Sequence, residues 1–316
     1  MCGIFAYSGE ENFGEKQVWE GLKKLEYRGY DSFGIYSKYK DAEKLQKFVG
    51  KVSDVIMDFE QASVAIGHTR WATHGKVEER NTHPHVSNTG RFVLVHNGIF
   101  ENYSEVKAKL QKNNYNFYSE TDTEVFVNYI ESEFLKVEKK KEDLLTVVKN
   151  ISKKIKGANA FVVYDKETGD LVSYKNGSPL FLGDSIAGLY ISSDHMAFPS
   201  NINKFYELKD GEVVSNANLK NIKWKIRENN EENFSKNNFE SFMLKEIFDQ
   251  RKSIKNAYMK NFPLTKTLGE NWHKNKKIFA TGCGTAYNAA QIFATLAAQK
   301  NIFINMVEKP VHTANI

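Results

Sequence analysis

One stretch limits how this chain can fold. Residues 228–238 read ENNEENFSKNN, with Phe234 as the sole apolar side chain. A run that polar cannot thread a hydrophobic core. The whole chain, 316 residues, is also long for one core. The expected organisation is a first unit over 2–225, a linker over 226–240, and a second unit over 241–316.

The first stretch alternates short β-rich runs with amphipathic helices. Residues 2–8 read as a buried strand, and 14–27 carry Val18, Leu22 and Leu25 at helical spacing. Strands are expected at 33–37, 62–69 and 91–96, then helices over Glu101–Lys112 and Thr121–Lys139. Further strands follow at 159–165, 170–174, 179–182, 188–193 and 212–215, separated by turn residues such as Glu167-Thr-Gly169. The pattern predicts stacked sheets covered by helices. Past the linker, Phe242, Ile247 and Ile254 lie on a charged helix. Lys277–Thr281, Ala286–Lys300 and 302–307 then spell one strand–helix–strand unit.

Composition excludes several functions. Hydrophobic residues make up 41% and charged residues 26%, as in ordinary globular chains. The net charge is +5, with both signs interspersed, so no nucleic-acid partner is expected. The Lys139–Lys141 run reads as an exposed helix face. Cys2 and Cys283 are too few for a disulfide framework, and no zinc spacing exists. The start is not expected to act as a signal peptide, and no run of apolar residues is long enough to span a bilayer. A cytoplasmic protein with no membrane contact, no metal and no cofactor is the expectation.

Four segments carry chemistry. Cys2 follows the initiator Met, whose removal would put a thiol and an α-amine on one residue. The amine, with a pKa near about 8, can then act as base for its own side chain. A buried structural cysteine would also account for Cys2 alone. GHTRWATHG (67–75) follows an apolar strand; its Arg70 can grip a carboxylate bidentately and Trp71 can cover a small substrate. A surface loop with an ion pair is the plainer account. In Val95-His-Asn-Gly-Ile99, Asn97 and Gly98 can supply oxyanion donors, although a simple Asn-Gly turn would look the same. At Ser119–Glu124, Asp122 can bind an ammonium or cap a helix.

These segments, with LEYRGYDS (25–32), HNGI-x-EN (96–102) and SETDTEV (119–125), stand in an order that resembles the class II, N-terminal-nucleophile glutamine amidotransferases. They are most similar to the glutaminase domain of the glutamine–fructose-6-phosphate aminotransferases, over roughly residues 2–225. The resemblance implies an α+β fold, a four-layer αββα sandwich. It implies that Cys2 attacks the glutamine amide, that Asn97 and Gly98 hold the oxyanion, that Arg70 binds the substrate carboxylate and that Asp122 binds its α-amine. Trp71, Thr73 and His74 would belong to a loop closing over glutamine, and Arg28 and Tyr30 would flank the nucleophile. Phe33 departs from the small Ala usual after Tyr-Asp-Ser, and is expected to repack a wall.

Phe242–Gln250 and TGCGTAY (281–287) are similar to the start of the sugar isomerase (SIS) domain in the same family, with Gly284 and Thr285 at its first phosphate loop. Arg251 and Ala286 depart from the family's Pro and Ser. The α/β isomerase unit is incomplete here. Either the chain is a short form whose isomerase partner is another chain, or it is a fragment; the family's homodimer forms through that domain. Fructose 6-phosphate is the implied acceptor of ammonia. Two other classes stay open: an inactive regulatory or interaction domain, and a metal protein using His74, His83, His85 and His96. The second is disfavoured because His83-Pro-His85 is expected to be solvated and no ligand spacing is complete.

Overall fold

The computed structural model describes residues 2–10, 12–72, 75–137, 143–220, 222–226, 238–240, 242–272, 278–282 and 284–308. Most of the expected linker and the Lys139–Lys141 run lie outside them. The chain forms two compact units, Met1–Glu231 and Glu232–Ile316.

In chain order the first unit comprises β1 (Gly3–Ser8), α1 (Gly14–Leu25), β2 (Ser32–Tyr39), β3 (Ala42–Val49), β4 (Val64–Arg70), β5 (His85–Val86), β6 (Phe92–Gly98), α2 (Tyr103–Gln111), α3 (Asp122–Val137), α4 (Leu144–Ser152), β7 (Asn159–Asp165), β8 (Leu171–Asn176), β9 (Phe181–Ser185), β10 (Gly188–Ser192), β11 (Lys204–Glu207), β12 (Glu212–Ser215) and β13 (Lys225–Ile226). The strands form an eight-stranded sheet, ordered β13-β11-β9-β10-β1-β4-β2-β3, and a five-stranded sheet, ordered β12-β8-β7-β6-β5. Neighbouring strands are antiparallel throughout.

Side-chain alternation builds the layers. Strand neighbours point to opposite faces. In β1, Ile4 and Ala6 join Val93, Val95, Ala160 and Val162 in the core between the sheets. Phe5 and Tyr7 point the other way, onto Val18, Trp19 and Leu22 of α1. In β6 and β7, Phe92, Leu94, Phe161 and Val163 turn outward to meet Phe126, Val147 and Val148 of α3 and α4. The result is the expected αββα sandwich. Helix α1 lies close to its sheet because Gly21 sits over Phe5 and Gly67 under Val18; a Cβ at Gly67 would meet Val18 Cγ1 at 2.5 Å. Burying each such side chain stabilises the unit by about 1.5–3 kcal/mol.

Phe33 belongs to this α1 core. Its ring stacks on Phe48 at 4.8 Å and meets Trp19 edge-on at 5.7 Å. The larger residue at this position therefore fills space under α1.

The second unit comprises α5 (Phe242–Trp272), β14 (Ile278–Gly282), α6 (Gly284–Ala298) and β15 (Ile304–Glu308). Strands β14 and β15 pair in parallel, joined through α6. Cys283 lies outside the described residues.

Candidate active site

Four element ends meet around Cys2. The β1–β4 register sets Gly3 opposite Thr69, so the start of β1 lies beside Arg70 and Trp71. Strand β6 of the facing sheet ends at Asn97-Gly98, and α3 begins at Asp122. Two hollows share Cys2, Trp71 and Gly98. A cleft of about 190 Å³ is lined also by Arg28, Asn97, Ile99, Ser178 and Pro179. A recess of about 30 Å³ is lined also by Arg70, His83, His96 and Thr121–Thr123.

The thiol sits against Trp71. The Trp71 N–H donates to Cys2 Sγ at 3.2 Å, and the thiol meets the Trp71 carbonyl at 3.5 Å. Burial pushes the thiol pKa up; the Trp71 amide and the Arg70 charge oppose that without cancelling it. At neutral pH the thiol is therefore protonated, and attack requires a base. The Cys2 carbonyl accepts two hydrogen bonds, from Arg28 Nε at 3.2 Å and from Asn97 Nδ2 at 3.1 Å. Arg28 lies 3.8 Å from the Asp194 carboxylate, which also takes the Tyr27 hydroxyl at 2.5 Å. The Tyr30 ring meets Trp71 edge-on at 5.3 Å.

Gly98 has no substitute. Its φ is +125°, and a Cβ would come within 2.0 Å of the Ala158 carbonyl oxygen. Asn97 and Gly98 thus line the cleft beside the sulfur.

Arg70 is buried, and its Nη1 and Nη2 donate to the carbonyls of Lys76 and Gly75 at 3.0 and 3.1 Å. Burial lowers its pKa, against the opposing pull of Cys2, Asp31 and Asp122. The same loop is latched by Asn81 Nδ2 to the Lys76 carbonyl at 3.1 Å and by Lys76 N–H to Glu120 at 3.1 Å. Thr73 and His74 lie outside the described residues.

Asp122 is not the helix cap. Thr121 Oγ1 accepts the Glu124 N–H at 3.3 Å and does that work. The Asp122 carboxylate instead accepts the Phe100 N–H at 2.7 Å and stands on the recess wall.

Four histidines are buried here: His68, His83, His85 and His96. The expected solvation of His83 and His85 is overturned, since they are 6% and 4% exposed. His83 stacks on His68 at 4.1 Å, and His85 pairs with Thr121 Oγ1 at 3.0 Å. Burial pushes all four pKa values down, that of His68 to about 3. Among the described residues, no group of His, Cys, Asp and Glu is placed to hold a metal. Gly284 and Thr285 belong to the second unit, at the first turn of α6, where Thr285 is exposed.

Two residues of the quoted motifs gain roles that spacing did not suggest. Asp31 accepts the Ala72 N–H at 2.8 Å and donates its own N–H to the Arg70 carbonyl. His68 contacts Asn97. Their only signal was membership of those motifs.

Comparison with known proteins places the chain in a family. Residues 40–222 match the glutamine amidotransferase domain family. A glutamine–fructose-6-phosphate aminotransferase from Pyrococcus horikoshii is 36% identical over 314 residues, spanning 92% of this chain and 51% of that protein. The Fusobacterium nucleatum protein of the same name is 36% identical over 312 residues, spanning 92% and 50%. The chain thus spans about half the length of the curated relatives it matches. In fold it resembles a glutamine phosphoribosylpyrophosphate amidotransferase from B. subtilis, with TM-score 0.54 and 24% identity over 68% of this chain and 48% of that one. With its family match, its relatives and its αββα fold in agreement, the chain belongs to the glutamine amidotransferase family.

Proposed function

We propose that this chain hydrolyses glutamine to glutamate and ammonia through a thioester on Cys2. The observation that carries the reading is the meeting of Cys2, Asn97, Gly98, Arg70 and Asp122 at two adjoining hollows. Removal of Met1 frees the Cys2 α-amine, whose pKa near about 8 suits it to take the thiol proton. Sγ attacks the side-chain amide carbon, and the oxyanion forms against Asn97 and Gly98. Ammonia leaves with the transferred proton, and water then hydrolyses the thioester. Arg70 holds the glutamine carboxylate and Asp122 its ammonium, while Trp71, Thr73 and His74 close over it. The recess has room for about one water. Glutamine binding therefore draws the Gly75–Lys76 carbonyls off Arg70 and shifts that loop.

The ammonia is destined for fructose 6-phosphate, giving glucosamine 6-phosphate. The names of the relatives support this acceptor. The second unit would contribute Gly284 and Thr285 at a helix N-terminus suited to phosphate. Isomerase residues from the rest of a longer chain, or from a separate one, would complete the transfer, with dimerisation through that domain.

The test is glutamate release by the purified chain, with and without fructose 6-phosphate, after mass spectrometry confirms loss of Met1. Glutamate without aminosugar supports a glutaminase half. No glutamate under either condition sinks the reading.

A further inference from the structure

The oxyanion role assigned above to Asn97 requires its amide to present nitrogen, not oxygen, toward Cys2. A free asparagine side chain has no such preference. We propose that His68 is a positioning residue that locks the Asn97 amide in its productive orientation.

The His96 carbonyl decides which imidazole nitrogen carries the proton. His68 Nε2 lies 3.0 Å from that oxygen and 3.0 Å from Asn97 Oδ1. A carbonyl oxygen only accepts, so Nε2 must carry the proton. The N–H is shared between the two oxygens, and the atom of Asn97 facing it must be the amide oxygen. The amide nitrogen then faces Cys2, where one N–H meets the Cys2 carbonyl at 3.1 Å. Its second N–H remains for the cleft that Asn97 lines. The reversed amide would set two donors against each other at His68 and two oxygens against each other at Cys2.

The imidazole itself is held in one tautomer. His68 is fully buried, and its ring stacks on His83 at 4.1 Å with 22° between planes. Its Nδ1 has no hydrogen-bond partner among the described residues. A proton on Nδ1 would be buried without an acceptor, which disfavours both the other tautomer and the imidazolium. The depressed pKa, about 3, agrees. The unpartnered nitrogen thus has a use: it keeps the proton on Nε2 at every working pH.

This inference rests on the glutaminase reading for its kinetic consequence but not for its structural one, so two readouts separate them. In the full chain, His68→Leu removes the donor, and His68→Gln restores an amide N–H near the position of Nε2. The Leu variant is expected to lose about 10²-fold in kcat with KM within about twofold, at the lower end of what losing an oxyanion donor costs. The Gln variant is expected to recover most of that loss. The rate of Cys2 alkylation by iodoacetamide, which needs no oxyanion donor, should match wild type in both and reports intact folding. Independently, long-range 1H–15N NMR of the wild-type chain should show His68 as the Nε2–H tautomer from pH 5 to 8. Full kcat in a folded Leu variant, or a Nδ1–H tautomer, overturns the proposal. A wild-type chain that releases no glutamate would defeat the glutaminase reading, while the tautomer measurement would still decide the positioning.

Discussion

The two units treat their apolar residues differently. The first packs both faces of two antiparallel sheets, with Ile4, Phe5, Leu22, Phe126 and Phe161 all fully buried. The second leaves Ile254 of α5 66%, Phe279 of β14 64% and Ile292 of α6 63% exposed, and its sheet is two parallel strands. Parallel strands ordinarily have both faces covered. Precise chemistry therefore belongs with the first unit, where packing fixes side chains to within hydrogen-bonding tolerance. The second supplies a βαβ outline whose strands have few neighbours among the described residues.

The sharpest test of that contrast is Cys2→Ala. Glutaminase activity should fall by about 10⁶-fold, the scale of losing an enzyme nucleophile, while the melting temperature holds. Leu22→Ala opens a cavity under α1 and should cost about 2–5 kcal/mol in urea unfolding of the first unit. Asn97→Ala should lower kcat by about 10²–10³-fold with the fold intact. Thr285→Ala, in the second unit, should leave glutamate release unchanged.

Acid should also separate the units. The folded pKa values of His68, His83, His85 and His96 lie below the usual value near about 6.5. Unfolding then takes up protons at mildly acidic pH. The stability these neutral histidines permit is complete above about pH 6.5 and is lost as pH falls toward their folded values. For His68 alone the loss by pH 5 is about 2 kcal/mol, read as a falling urea midpoint of the first unit. The smallest effect belongs to Ile292→Ala, which should change stability by no more than about 0.5 kcal/mol. A large loss there would break the comparison.

Much of this was legible in the sequence because local signals and tertiary roles coincide. Ile4 and Phe5 alternate as a doubly buried strand should, and the motif at 67–75 does end a strand. Strand β3 escaped the reading because it edges the sheet and mixes Glu43, Lys44 and Lys47 among its apolar residues. Helix α4 also escaped the reading: Leu144, Val147, Val148 and Ile151 carry helical spacing, but the helix is short and follows a charged run. The Thr121 cap could not be told from an Asp122 cap, since both residues are good caps. His68 could not be read at all as a positioning residue, because its partners come from a different sheet.

The doubly bonded Cys2 carbonyl bears on maturation. The first residues of a chain ordinarily fray. Here a guanidinium from beyond α1 and an amide from β6 grip the backbone carbonyl two bonds from the thiol-bearing carbon. Both hydrogen bonds are made to Cys2 itself, so trimming away Met1 would leave them in place. The newly exposed chain end would stay moored, its sulfur held at the same address before and after cleavage.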